Sequence, residues 1–274
     1  MLHQTGSFIV LARPPAGASL RGLGLEPHRD GDWLCAETDD ADAARAALRP
    51  LPFDWSVRAA NAPAPRVFVS DMDSTIIGQE CIDELADFAG RKAEVAQITE
   101  RAMRGELDFA ASLRARVATL KGLPEATLAR CMTERVRINP GAKALLAALE
   151  HAGVQTALVS GGFDVFVRPV AAEAGFRRSL SNRLEMRDGA LTGRLEGAIL
   201  DAAGKAAFLA RLADETGATP EQTVAMGDGA NDAPMLRAAG FAIAVGGREA
   251  ALAEADAAVR EGDLSVIIRF LALT

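Results

Sequence analysis

Four short apolar runs, spread widely along the chain, constrain the fold most. They are Val67-Phe68-Val69, Thr156 to Val159 (TALV), Thr223 to Met226 (TVAM) and Phe241 to Val245 (FAIAV). None alternates strictly between apolar and polar residues, and each lies beside a helix-like stretch. Strands buried on both faces and joined by helices have this pattern, because helices cover both sides of a parallel sheet. Residues 63–274 therefore predict an open α/β domain with a mainly parallel sheet. Between the first two runs the pattern is helical: QECIDELADFAG, KAEVAQITERAMRGE, DFAASLRARVATLKG and PEATLARCMTERV. Gly90 suits a helix stop and Pro124 a first-turn position. Such a stretch is too long for a simple crossover, so residues 77–138 predict a helical cap inserted in the core. Residues 180–197, with Asp188-Gly189 between two mixed runs, predict a β-hairpin.

Residues 60–65, ANAPAP, read as a linker, since proline continues neither a helix nor a central strand. Before it, residues 1–62 predict a small α+β segment. SFIVLA, DWLCAE and FDWSVR are strand-like, and DADAARAALRP is a helix opened by a capping aspartate. Trp33 and Trp55 read as core rather than as a ligand platform.

A net charge of −7 offers no general basic footprint for nucleic acid. The three cysteines, Cys35, Cys81 and Cys131, form no CxxC pair and read as buried filler in a reducing compartment. The N-terminus lacks a basic start and an apolar run long enough for a signal peptide, and no run of about 20 apolar residues exists to span a membrane. The expectation is a cytoplasmic protein.

The chemistry sits where the strands end. The first run leads into Asp71 and Asp73, the second into Ser160-Gly161-Gly162, and the third into GDGAND, Gly227 to Asp232. Open α/β sheets bind ligands outside the carboxyl ends of their strands, so these three sets converge on one cleft. Asp71, Asp73, Asp228 and Asp232 would repel one another there without a counter-ion. A hard divalent cation such as Mg²⁺ resolves this, since it takes oxygen ligands and a substrate phosphate. Backbone N–H groups at Gly161 and Gly162, ahead of a helix, suit a phosphate, and so does Lys205 at the start of the next helical stretch. Together they point to phosphoryl transfer. One aspartate of the pair can attack phosphorus, and the other can protonate the leaving oxygen and later deprotonate water. Taken singly these signals are weak, for DxD also describes turns and caps. It is the ordered set at successive strand ends that carries the reading.

The four segments DMDSTIIGQE, VSGGFD, Lys205 and GDGAND resemble the motifs of the haloacid dehalogenase superfamily, and most closely its phosphoserine phosphatases. The likeness covers most of residues 66–274, including GELDFAASLRARV in the cap. It implies a Rossmann-like core with a helical cap, Mg²⁺ as cofactor, and hydrolysis of O-phospho-L-serine to L-serine and phosphate, the last step of serine biosynthesis. Position by position, it implies Asp71 as nucleophile and Asp73 as general acid/base. Asp71, Asp228 and the main-chain carbonyl of Asp73 would ligate the metal. Ser160, Gly161 and Lys205 would hold phosphate, with Asn231 and Asp232 supporting the metal and the lysine. The substrate-reading glutamate and arginine correspond to Glu80 and Arg116. A glutamate suits the ammonium of phosphoserine, and an arginine suits its carboxylate. Phe109 and Met103 read equally as pocket wall or as core.

Some relatives carry ligand-sensing ACT-like modules of βαββαβ order at the N-terminus. Here the unit is short and no first helix is evident, so it reads at most as a degenerate one, and amino-acid sensing is not carried over. The expected partner is a small-molecule substrate, without nucleic acid or membrane and with room for a homodimer. Transfer of the phosphoryl group to an alcohol such as homoserine, another small phosphomonoester as substrate, and a non-catalytic phospho-ligand sensor are the competing readings. The intact Asp71, Asp73, Lys205 and Asp228 weigh against the sensor.

Overall fold

The computed structural model describes residues 7–15, 20 and 25–273, apart from the Met103 side chain. The sequence readings that touch residues 1–6, 16–19 and 21–24 lie outside the described residues. The chain begins with β1 (Phe8–Arg13), β2 (His28–Asp30), β3 (Trp33–Thr38), α1 (Ala41–Leu48) and β4 (Asp54–Ala59). The Asp40 carboxylate accepts the Ala43 N–H at 2.9 Å, which caps α1. Trp55 is fully buried, packed with Val10, Leu34 and Leu48.

The apolar runs form the central strands. β5 is Val67–Ser70, and after it come the cap helices α2 (Cys81–Phe88), α3 (Lys92–Met103), α4 (Phe109–Thr119) and α5 (Glu125–Arg135). An isolated bridge between Ile77 and Ile138 ties together the two chain passes that lead into and out of this insertion. Pro124 is the N-cap of α5 rather than its first-turn residue, with ψ of 145° outside the helical range. Next come α6 (Ala142–His151), β6 (Gln155–Phe163), α7 (Asp164–Ala174), β7 (Arg178–Arg187), β8 (Ala190–Glu196) and α8 (Ala202–Thr216). The chain closes with β9 (Thr223–Gly227), α9 (Ala233–Ala238), β10 (Phe241–Val245), α10 (Glu249–Glu254), β11 (Ala257–Val259) and α11 (Val266–Phe270). β7 and β8 form the expected hairpin. Asp188 and Gly189 both have positive φ, 51° and 75°, as a two-residue hairpin turn matching the strand twist requires.

One 11-stranded sheet runs through the molecule in the order β2-β3-β1-β4-β11-β10-β9-β5-β6-β7-β8. Its middle, β11 to β7, is parallel throughout. From β5 the chain moves to one side through β6 and β7, then crosses to the other through β9, β10 and β11. The reversal lies between β5 and β9, where an open α/β sheet leaves a crevice at its carboxyl edge.

The N-terminal unit extends this sheet, because β4 pairs antiparallel with β11. Neither β2 nor β11 is visible in the sequence. β2 is three exposed residues, and β11 is Ala257-Ala258-Val259, too short to show a period. All three cysteines are buried and free. Among the described residues no helix is long and apolar enough to cross a membrane.

Candidate active site

The crevice opens into a cavity of about 450 Å³ between sheet and cap. Asp71, Asp73, Glu80, Arg116, Ser160, Gly161, Asp228 and Asn231 all line it. Lys205 and Asp232 do not; they stand behind Asp71, fully buried.

Asp71 prolongs β5 by one rung, its N–H donating to the Met226 carbonyl at 2.9 Å. This fixes the carboxylate at the strand tip. Its Oδ1 accepts from Lys205 Nζ at 2.8 Å and from the Met72 N–H at 2.7 Å. Its Oδ2 has the Asn231 amide at 3.5 Å, so it is the freer oxygen. Burial raises the Asp71 carboxyl well above its ordinary range; Lys205 opposes this and Asp232 adds to it. Burial also works against the charge on Lys205. The Asp71 and Asp232 carboxylates, each 2.8 Å away, outweigh it and keep the ammonium protonated.

After β5 the chain turns sharply, with Ser74 in the left-handed region at φ 52°. A serine there is strained, as functional turns often are. The turn brings Asp73 under the start of α2, where its Oδ1 accepts the Cys81 N–H at 3.0 Å. The Ser160 hydroxyl reaches its Oδ2 at 3.4 Å. Burial, and secondarily the charge of Glu80, push Asp73 up to about 6. The same turn lets the Ser74 hydroxyl donate to Glu80 at 2.7 Å.

The end of β6 is a glycine cradle. Ser160 Oγ accepts the Gly162 N–H at 2.9 Å. A Cβ on Gly162 would lie 3.0 Å from both Asp73 Oδ2 and Ser160 Oγ, and one on Gly161 would lie 3.1 Å from the Phe109 ring. Any larger residue here would push these neighbours aside, whereas glycine lets them approach. Buried Asn182, on β7, donates to the Gly161 carbonyl and accepts from the Leu200 N–H, both at 2.8 Å, and so fixes the cradle from behind. Sequence reasoning passed over Asn182. Its one signal is an amide at a buried position of an otherwise mixed strand.

After β9, Asp232 turns back under the loop. Its Oδ2 accepts from the N–H groups of Asp228 and Gly229 at 3.1 and 3.2 Å, while its Oδ1 takes Lys205. Both oxygens are therefore engaged. Asp71, Asp228 and Asp232 each offer a carboxylate oxygen within 4.8 Å of the others. Burial pushes Asp228 up to about 6, against the pull of Arg248.

The cap supplies the far wall. Phe109, Ser112, Leu113 and Arg116 recur at helical spacing along one face of α4. Arg116 Nε is buried without a protein partner, and burial lowers the affinity of that guanidinium for its proton. The Met103 side chain lies outside the described residues. A second arginine, Arg248, was not anticipated. It follows Gly246-Gly247, lines the cavity and pairs with Asp228 at 2.8 Å and Glu80 at 3.4 Å. An exposed arginine after two glycines carries no motif.

The family model of the haloacid dehalogenase-like hydrolases matches residues 68–237. A phosphoserine phosphatase of Idiomarina loihiensis is 48% identical over 202 residues, 74% of this chain and 91% of its own. The unliganded crystal structure of a probable phosphoserine phosphatase from Vibrio cholerae aligns with a TM-score of 0.80 at 34% identity, covering 100% of this chain and 88% of that one. A structure described as a phospho-aspartyl intermediate analogue of phosphoserine phosphatase aligns with a TM-score of 0.70 at 38% identity, over 76% of this chain and 99% of its own.

Proposed function

The chain belongs to the haloacid dehalogenase-like hydrolases, and from that premise we propose that it hydrolyses O-phospho-L-serine to L-serine and phosphate, the final step of serine biosynthesis. The observation that carries the substrate is that Glu80 and Arg116, the latter with its Nε buried and without a partner, line the same cavity as Asp71. A phosphate on the Ser160–Gly162 cradle leaves an ammonium for the glutamate and a carboxylate for the arginine.

In this reading Asp71 attacks phosphorus, the phosphorus–serine oxygen bond breaks, and the phosphoryl group is held as an aspartyl-phosphate. Asp73 gives its proton to the leaving serine oxygen. It then takes a proton from the water that attacks phosphorus, releasing phosphate and restoring Asp71. An acid raised to about 6 by burial suits both halves of this cycle near neutral pH. Lys205 and Asn231 hold the Asp71 carboxylate in place, and Asp232 holds Lys205 and the loop after β9. The cap covers the cradle, with the Phe109 ring against Gly161.

The donor set fits a hard divalent cation. Asp71, Asp228 and Asp232 bring carboxylate oxygens within 4.8 Å of one another, and burial raises the Asp71 and Asp228 carboxyls despite Lys205 and Arg248. We assign Mg²⁺, held by Asp71, Asp228 and the Asp73 carbonyl, where it would neutralise charge developing on the phosphoryl oxygens. Buried free cysteines suit a cytoplasmic enzyme. A homodimer is compatible with this reading and is not required by it.

The test is phosphate release with Mg²⁺ from phosphoserine and from phosphoethanolamine, by wild type and Arg116→Ala. The variant should lose roughly 10- to 150-fold in kcat/KM on phosphoserine, the worth of a charge-assisted bond, and far less on the substrate without a carboxylate. Equal losses on both substrates would remove the case for phosphoserine. Adding homoserine separates hydrolysis from transfer to an alcohol.

A further inference from the structure

Arg248 is the cavity residue that the catalytic reading leaves without a task. Its two terminal nitrogens reach different carboxylates. Nη1 lies 2.8 Å from Asp228 Oδ2, and Nη2 lies 3.4 Å from Glu80 Oε1. Asp228 is buried on the core side, while Glu80 opens the cap as N-cap of α2. The guanidinium thus bridges core and cap across the mouth of the site. Both carboxylates have other duties in the reading above, Asp228 toward the cation and Glu80 toward the substrate ammonium.

We propose that Arg248 is an internal counter-ion, which neutralises Asp228 and Glu80 while cation and substrate are absent and gives both up as they bind. This rests on the phosphatase reading, for it needs Asp228 to face a cation. The physical reason is the cost of clustered acids. Asp71, Asp228 and Asp232 share a small buried volume, and the buried cation beside them among the described residues, Lys205, is taken by Asp71 and Asp232. Lys205 acts on Asp228 only as the weakest of its charged neighbours, and the cation paired with Asp228 is Arg248, 2.8 Å away. Among the described residues Glu80 hydrogen-bonds to the neutral Ser74 hydroxyl and to Arg248, with Arg116 near enough to feel its charge.

The Arg248 side chain is 58% exposed, so it can swing into water with little loss of its own solvation. A lysine, as a point charge, could not hold both carboxylates in this forked manner. Displacement from Asp228 also loosens the Arg248–Glu80 contact, so cation binding would ready Glu80 for the substrate. Binding of cation and of substrate amine would then reinforce each other through one side chain.

The experiment measures Mg²⁺ binding calorimetrically, without substrate, in wild type, Arg248→Gln, Arg248→Lys and Asp228→Asn. Removing the competing guanidinium should tighten Mg²⁺ binding by roughly 3- to 10-fold in Arg248→Gln. This lies between the worth of an exposed ion pair and that of a charge-assisted bond to a buried carboxylate. Arg248→Lys should fall between wild type and Arg248→Gln. Equal or weaker Mg²⁺ binding by Arg248→Gln overturns the proposal; should that variant fail to fold, the same result for Arg248→Lys does so. Asp228→Asn separates the two readings. If wild type binds Mg²⁺ and Asp228→Asn does not, the cation site stands whatever Arg248 does. If wild type and Asp228→Asn bind alike, the cation site falls and the counter-ion proposal falls with it.

Discussion

At the scale of single residues, Asp71 and Asp73 differ in what holds them, and this separates their variants. Asp71→Asn should abolish turnover and keep the fold, because an amide neither attacks phosphorus nor offers charge to a cation. Phosphate release and a melting curve on one sample check this. Asp73→Asn should cost about 10²–10⁴-fold on phosphoserine, as proton transfer does, and much less on nitrophenyl phosphate, whose leaving group needs no proton. Equal losses would count against an acid role. Protonation also reports on the cation. Asp73 and Asp228 are each raised from 3.8 to about 6 by burial. Their protonated forms favour the folded, cation-free protein. That contribution is fully present below the ordinary carboxylate value and is lost as pH rises through about 6. A cation needs Asp228 ionised, so proton and cation compete. The rise in Tm on adding Mg²⁺ should therefore be small near pH 5 and reach its plateau above about pH 7. An equal rise at both ends would separate the cation from Asp228. Most of these residues were legible because their chemistry follows a strand end. Arg248 and Asn182 were not, since what they touch is distant in sequence and a lone arginine or asparagine has no pattern.

At the scale of elements, the cap was legible as four helical stretches. The way the cap is tied down was not. Asn139 Nδ2 donates to the Thr75 carbonyl and its backbone N–H to the Ile76 carbonyl, both at 2.8 Å. Beside it the Arg137 N–H donates to the Gln79 side chain at 2.9 Å. These bonds join the two passes at the root of the cap, next to the turn that aims Asp73 and Glu80. Asn139→Ala should remove one bond to a part-buried carbonyl, worth about 1 kcal/mol of stability. If cap closure depends on this root, kcat and KM should shift together and by more than the change in Tm accounts for. Unchanged kinetics beside a lowered Tm would make Asn139 a structural residue only. β2 and β11 escaped the sequence for a plain reason: three residues cannot display a period of two, and alanine pairs serve helices as well as strands.

At the scale of the whole molecule, the N-terminal unit is joined to the catalytic core by a buried seam. ANAPAP has the composition of a linker, yet β4 on one side of it pairs with β11 on the other. Nothing in the sequence of β4 announces its partner, because sheet pairing at such separation is set by packing and not by local pattern. Asp54 is central to the seam and fully buried. Its Oδ1 accepts the N–H groups of Arg260 and Glu261 at 2.7 and 3.1 Å, and its Oδ2 pairs with Arg13 at 2.5 Å. We propose that residues 1–62 stabilise the core without joining its chemistry, since every cavity residue lies after the linker. A chain starting near Pro63 would bare the edge of β11, together with the apolar side chains that Trp55 and Val57 cover, and should self-associate. Asp54→Ala tests the seam without that complication. It leaves two backbone N–H groups and the Arg13 guanidinium without their acceptor, at a cost of about 1–3 kcal/mol. For a chain of this size that is a fall in Tm of roughly 2–12 °C. Because Asp54 does not line the cavity, kcat/KM per folded molecule should stay within about twofold of wild type. A variant that keeps its Tm would show the seam to be unimportant. One that keeps its Tm but loses turnover would show that the N-terminal unit acts on the site after all.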